Sequence, residues 1–180
     1  MALDMKATIA ESFNSLVRQR GIDKVTVKAV IEDCGISRQT FYYHFQDIMD
    51  VVEWCARQAT EHMVERSLAA SSPQEALSEL IRSTAENYTM LRKLMSSQRR
   101  EQIEYILAEA ARSYLEELMR RRPAAFRADY CDMDIALDFL TFGLVGMLLK
   151  HCGEPDLDPG KLAEQIIRIL GAKLNLSEEK

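Results

Sequence analysis

The sequence predicts an all-α protein: an N-terminal three-helix unit containing a helix-turn-helix, followed by a larger helical region. Three observations carry that prediction. Apolar residues recur at spacings of three and four along most of the chain, and no stretch shows the apolar–polar alternation of a half-buried strand. The 180 residues are 47% hydrophobic with only 7 Gly and 4 Pro, which suits helices joined by short connections. Residues 26–45 read as two short helices around a tight turn at Cys34-Gly35-Ile36.

The first helix carries Ile9, Phe13, Leu16 and Val17 on one face, and Gly21 stops it. It is placed to brace the helix-turn-helix. Thr26 and Ser37 are both residue types that cap helix N-termini by accepting a bond from a free backbone N–H. Val27, Val30 and Ile31 give the second helix an inward face. Gly35 has no Cβ to clash in the backbone conformation the turn needs, and Ile36 plugs the gap between the helices. Phe41 and Phe45 turn the third helix inward. In a helix-turn-helix this third element lies in the DNA major groove. Two plain core helices would share the spacing, but this one crowds Arg38, Gln39, Thr40, Tyr42, Tyr43 and His44 into seven residues. That is more hydrogen-bonding and aromatic surface than packing alone requires.

Asp47 starts a fourth helix bearing Val51, Val52, Cys55, Ala59 and Met63. Ser71-Ser72-Pro73 breaks it, with Pro73 at a favoured first-turn position. Ala76, Leu77, Leu80 and Ile81 continue a fifth helix to about Asn87, and a short one comes next through Met90, Leu91, Leu94 and Met95. A long helix over residues 98–122 ends at Pro123; its apolar set is Ile103, Ile106, Leu107, Ala110, Ala111, Tyr114, Leu115 and Leu118. Two more run over residues 133–152 and 159–174, separated by the loop 153–158. The first of these presents Leu137, Leu140, Phe142, Leu144, Val145, Leu148 and Leu149 around much of its girth, as a helix covered on more than one side does. The second shows Leu162, Ile166, Ile167 and Leu170.

The segment Thr26, Val27, Val30-Ile31, Cys34, Gly35, Ile36, Ser37, Thr40, Phe41, Tyr42, His44, Phe45 resembles, in register, the DNA-binding domain of the TetR family of bacterial one-component regulators. The resemblance covers roughly residues 5–52. It implies a DNA-binding domain over residues 1–47 and a helical effector-binding and dimerisation domain over 48–180. Thr26, Lys28, Ser37, Arg38, Gln39, Thr40, Tyr42, Tyr43 and His44 are the DNA-binding candidates, with Lys24 and Arg18 as further cations. Arg38 and Gln39 are expected at base edges or flanking phosphates, Thr40 and Tyr42 at phosphate or a thymine methyl, and Tyr43 and His44 at the opposite backbone. Three positions depart from the family pattern. Ile48 comes after the cap where a phosphate-touching Lys is common, which removes a contact and up to about one unit of salt slope. Ile31 stands where Ala is preferred. Gln39 replaces a small residue and brings a side chain able to read adenine through paired hydrogen bonds.

The resemblance further implies a homodimer held by the last two helices, through Phe142, Gly143, Gly146, Leu149, Ile166 and Leu170, the glycines allowing close backbone approach. Packing inside one monomer is the alternative for those faces. A twofold dimer sets two recognition helices about 34 Å apart on a near-palindromic operator. The fourth helix, carrying Trp54, would transmit a change of angle caused by a small-molecule effector. Trp54, Tyr88, Met90, Tyr105, Tyr114 and Phe139 are candidates to line the effector site, although aromatic and Met residues at helical spacing also build plain core. The segment is similar, too, to regulators of dihydroxyacetone-kinase operons, some of which activate through a ligand-sensing partner protein. A coregulator whose C-terminal half docks such a partner is therefore the alternative to a repressor of this family's usual kind. An apolar closed pocket favours the effector-controlled regulator, and a solid core with an exposed apolar patch favours the coregulator.

Charge argues for a few placed contacts. The chain carries a net −5; residues 1–50 hold six Lys or Arg against seven Asp or Glu, a net of −1, and the remaining 130 hold 17 against 21, a net of −4. Non-specific coating of nucleic acid is thereby excluded. No Ser-His-Asp arrangement, phosphate loop or paired-acid motif points to an enzyme, and no cofactor is expected. The N-terminus lacks a signal-peptide apolar run, and the uncharged stretch at residues 139–149 is far short of the roughly 20 residues that span a bilayer. With Cys34, Cys55, Cys131 and Cys152 far apart, a cytoplasmic protein with reduced thiols and no membrane contact is expected. His151-Cys152, with Cys131 or His62, lacks metal-ligand spacing, and no metal is expected. Cys34 lies in the turn, where oxidation would disturb DNA binding, but a small buried residue is ordinary there. Arg120-Arg121-Arg122 reads as a solvated helix C-terminus suited to cations.

Overall fold

The structure, a computed structural model, describes residues 5–121 and 133–171. Among the described residues it is all-helical. α1 (Met5–Arg20) leads through a single 3-10 turn, Ile22–Lys24, into α2 (Val27–Cys34) and α3 (Arg38–His44). Next come α4 (Ile48–Ala69), α5 (Pro73–Glu86), α6 (Tyr88–Met95), α7 (Arg100–Arg121), α8 (Met133–His151) and α9 (Pro159–Gly171). Arg122, Pro123 and Cys131, and the expected extension of the last helix to residue 174, lie outside the described residues.

Caps set the boundaries where the sequence placed them. Thr26 Oγ1 accepts the Ala29 amide at 3.2 Å, and Ser37 Oγ accepts that of Thr40 at 3.0 Å. Asp47 Oδ1 accepts from Met49 and Asp50 at 2.7 and 3.1 Å, so α4 begins one residue later, at Ile48. Ser72 caps α5 through the Glu75 amide at 3.1 Å, while the Glu75 carboxylate takes the Ser71 amide at 2.6 Å. Gly35 sits in the left-handed region at φ 65°, the conformation for which a side chain would be strained.

Three apolar clusters hold the helices. The first joins Phe13, Val17, Val30, Phe41 and Phe45 to Ile48, Val51 and Val52 of α4, and runs on to Leu94 of α6 and Ile103 and Ile106 of α7. The helix-turn-helix is thus not separately cored: its interior continues past residue 47. The second cluster packs α5 on α9 through Ile81, Leu162 and Ala163, with Cys152 at the end of α8. The third gathers Met63, Val64 and Tyr114. Ala59, grouped by spacing with the inward residues of α4, is exposed. The expectation that α8 is covered on several sides does not hold within one chain: of its residues only Leu137 and Thr141 are buried. Ile135, Phe139 and Phe142 are all more than 60% exposed. Polar ties fasten the N-terminal helices to the rest. Asp23 accepts the Gln98 amide just before α7 at 3.2 Å, and Arg18 donates to Asn87 Oδ1 at 3.2 Å while its carbonyl accepts from Lys93.

Candidate nucleic-acid interface

α2 and α3 present one polar, aromatic surface because their apolar residues are already committed to the core. Val30 and Phe41 are fully buried, which turns Arg38, Gln39, Tyr42 and Tyr43 outward. Tyr43 is 85% exposed and Tyr42 46%, far from the burial usual for aromatic rings. The side chains are ordered against each other. The Tyr43 and His44 rings meet edge to face at 4.9 Å, and the Arg38 guanidinium lies over the Tyr42 ring, 5.4 Å from its centroid. Ser37 Oγ and Thr40 Oγ1 share a hydrogen bond of 2.8 Å, so both hydroxyls are engaged at the first turn of α3.

Between α2 and α3 lies an open notch of about 490 Å³ with Thr26, Val27 and Ile31 on its walls, Lys28 and Glu32 on one rim and Arg38 and Tyr42 on the other. The notch brings together four sequence candidates, Thr26, Lys28, Arg38 and Tyr42; Ser37 caps α3, and Gln39, Thr40, Tyr43 and His44 lie along it. Three residues of the notch, Val27, Ile31 and Glu32, were missed by sequence reasoning. Glu32 pairs with Lys28 at 3.7 Å, a relation foreshadowed by their i,i+4 spacing. Ile31 lines the notch as well as packing inward. Ile48, where the family commonly has Lys, is 4% exposed and belongs to the core. Arg18, a further cation of the sequence, donates to Asn87 Oδ1 at the junction of α5 and α6.

Residues 14–53 match the family model for bacterial regulatory proteins of the tetR family. The match covers the helix-turn-helix with the end of α1 and the start of α4. No curated protein matches it. Among solved structures it is similar to the dihydroxyacetone kinase operon activator DhaS (18% identity, 97% of this chain and 98% of that one, TM-score 0.62). A TetR transcriptional regulator from Streptococcus agalactiae aligns at 18% identity over 92% of each chain, with a TM-score of 0.65. The TetR-family repressor AlkX from a Dietzia species aligns at 18% identity over 94% of this chain and 95% of that one, with a TM-score of 0.62. At such identities these likenesses establish the fold.

The effector candidates are not brought together. Trp54 is half-buried in the first cluster, edge to face with Phe45, and Met90 packs against the same cluster. Tyr88 packs at the second cluster, its hydroxyl donating to the Leu149 carbonyl at 3.3 Å. Tyr114 is buried in the third, sharing a 2.8 Å hydrogen bond with Ser67. Tyr105 and Phe139 stand 66% and 71% exposed. Spacing placed these residues on helices correctly but could not say which face each occupies. A shallow groove between α5 and α9, with Ser72, Glu79, Arg82 and Gly160 on its walls, contains none of them. Of the dimer candidates, Phe142, Gly143, Gly146 and Leu170 are exposed, and Leu149 and Ile166 half-buried. Among the described residues no group of three metal-ligating side chains occurs, and no helix is long and apolar enough to cross a membrane. His151 pairs with Glu154 at 2.8 Å, and the Cys152 thiol donates to the Ile81 carbonyl at 3.6 Å. Cys34 is half-buried, its thiol 3.9 Å from the Thr8 carbonyl.

Proposed function

We propose that this chain is a TetR-family regulator that binds a near-palindromic operator as a homodimer, represses transcription by occupying it, and is released by a small molecule. The observation that carries the reading is the outward set on α3, Arg38, Gln39, Tyr42, Tyr43 and His44, fixed beside Thr26 and Lys28 by capped, buried-cored helices. Thr26, Ser37 and Thr40 hold the register, and Lys28 and Tyr43 reach the phosphates. Dimerisation is supported by the exposed apolar side chains of α8 and α9 and by two glycines beside them. A Cβ at Gly143 or Gly146 would meet nothing within 4 Å, so a partner helix has room to approach there. A twofold axis through that face sets the two α3 helices about one DNA turn, roughly 34 Å, apart. Trp54 ties α4 to the helix-turn-helix and is placed to pass a change in the C-terminal half to the DNA-binding half. DNase footprinting of the region upstream of the gene, with light scattering of the free protein, tests the reading. A protected near-palindrome and a two-chain mass are expected; a monomer without protection overturns it.

One observation favours a second reading, an activator or coregulator docking a ligand-sensing partner protein. Ile135 and Phe139 extend the exposed apolar stripe of α8 beyond the dimer set, while the effector candidates are dispersed. DNA protection that appears only when a partner from the same operon is added selects this reading.

A further inference from the structure

Operator binding alone leaves open what makes α3 selective, and the notch between α2 and α3 answers it. Two cations face each other across it in different states. Lys28 is engaged by the carboxylate of Glu32 at 3.7 Å. Arg38 has, among the described residues, no carboxylate partner; its guanidinium lies instead over the face of Tyr42, one helical turn on, at 5.4 Å. That ring is itself held. Phe41, fully buried, meets it edge to face at 5.5 Å and 85°. A buried core residue thus braces a half-exposed ring, and the ring braces an exposed arginine.

We propose that Tyr42 is a positioning residue for Arg38, acting through its ring face, and that this stack makes Arg38 the principal sequence-reading side chain of the protein. A guanidinium stacked by its face keeps its in-plane N–H groups open, and those are the donors that pair with O6 and N7 of guanine. An unstacked arginine on the first turn of a seven-residue helix would sample many rotamers and meet phosphates as readily as bases. The stack lowers that freedom before DNA arrives. Lys28, a point charge already shared with Glu32, adds attraction without base preference. The Tyr42 hydroxyl, which the sequence resemblance assigns to phosphate or a thymine methyl, has no part in the selection. This inference rests on the operator-binding reading, and its test separates the two.

The test is a double-mutant cycle, with anisotropy on a duplex carrying the footprinted site and on a scrambled duplex of equal length. Arg38→Ala and Tyr42→Ala should each lower the preference for the site about tenfold, and the double variant should be no worse than Arg38→Ala. Tyr42→Phe, which keeps the ring, should restore most of the preference, and Arg38→Lys should lose preference while keeping its affinity for the scrambled duplex. Losses that multiply in the double variant, or Tyr42→Phe as damaging as Tyr42→Ala, overturn the proposal. A DNA-free arm uses NMR: the Arg38 side-chain protons should be shifted upfield by the ring, retained in Tyr42→Phe and lost in Tyr42→Ala. Absence of that shift in the unaltered protein refutes the stack whatever the DNA result. A shift present in a protein that binds neither duplex refutes operator binding alone.

Discussion

The indole of Trp54 meets the ring of Phe45 edge to face, centroids 6.2 Å apart and planes at 82°. Phe45 closes α3 and is 2% exposed; Trp54 lies on the second turn of α4. The contact therefore couples the end of α3 to the helix leading into the C-terminal half. Since Trp54 is the single tryptophan, its emission reports on this junction. Phe45→Ala should cost about 3–5 kcal/mol of stability and shift Trp54 emission to the red. Urea unfolding monitored by fluorescence checks both; unchanged emission contradicts the coupling.

Gly35 fixes the angle between α2 and α3 with φ at 65°. Gly35→Ala meets no steric obstacle from neighbours, so its cost isolates backbone strain: about 1–2 kcal/mol. Thermal unfolding by circular dichroism measures it. A variant as stable as the parent would contradict the left-handed turn.

How much of the fold and of the candidate interface was legible in the sequence depends on the kind of signal each feature leaves. Capping and turn chemistry are local, so Thr26, Gly35, Ser37 and Asp47 disclosed their roles directly. The inward faces of α1 and α7 came from period alone. What period cannot supply is the partner of a face. Tyr105 and Phe139 sit at helical spacing like core residues yet stand in solvent, whereas Tyr114 is buried because Ser67 of α4 satisfies its hydroxyl. That Arg18 lies beside Asn87, 69 residues away, was not readable from spacing. Lys28–Glu32 was readable as a helix pair, but its position on the rim of a notch was not.

The same burial makes stability depend on alkaline pH. Burial pushes the Cys55 and Cys152 thiols up from 9.0 to about 11, with a smaller opposing pull from Asn14 on Cys55, and burial also raises Tyr114 against the pull of Ser67. Each group holds its proton more tightly in the fold than in the unfolded chain. Their stabilisation is complete below pH 9 and is lost as pH rises toward 11. Urea midpoints under reducing conditions should fall across that window. Cys55→Ala/Cys152→Ala should have a shallower fall; an identical slope contradicts the burial-driven shift.

Removal of the buried hydroxyl of Tyr114 gives a further check on the C-terminal half. Tyr114→Phe leaves Ser67 Oγ without its 2.8 Å partner and should cost about 1–3 kcal/mol. Ser67→Ala/Tyr114→Phe should recover part of that loss, because no unpaired group then remains. Chemical denaturation of the three variants decides it, and strictly additive losses contradict the pairing.

The measurement that bears most directly on operator recognition by α3 is fluorescence anisotropy of the purified protein on the DNA upstream of its own gene. A scrambled duplex of equal length serves as the control, across a range of salt concentrations. Binding far tighter than the control is predicted, with a salt slope set by a few phosphate contacts from Lys28 and its neighbours. Equal, weak binding to both duplexes would contradict operator recognition, and would mean that α3 alone does not read an operator there.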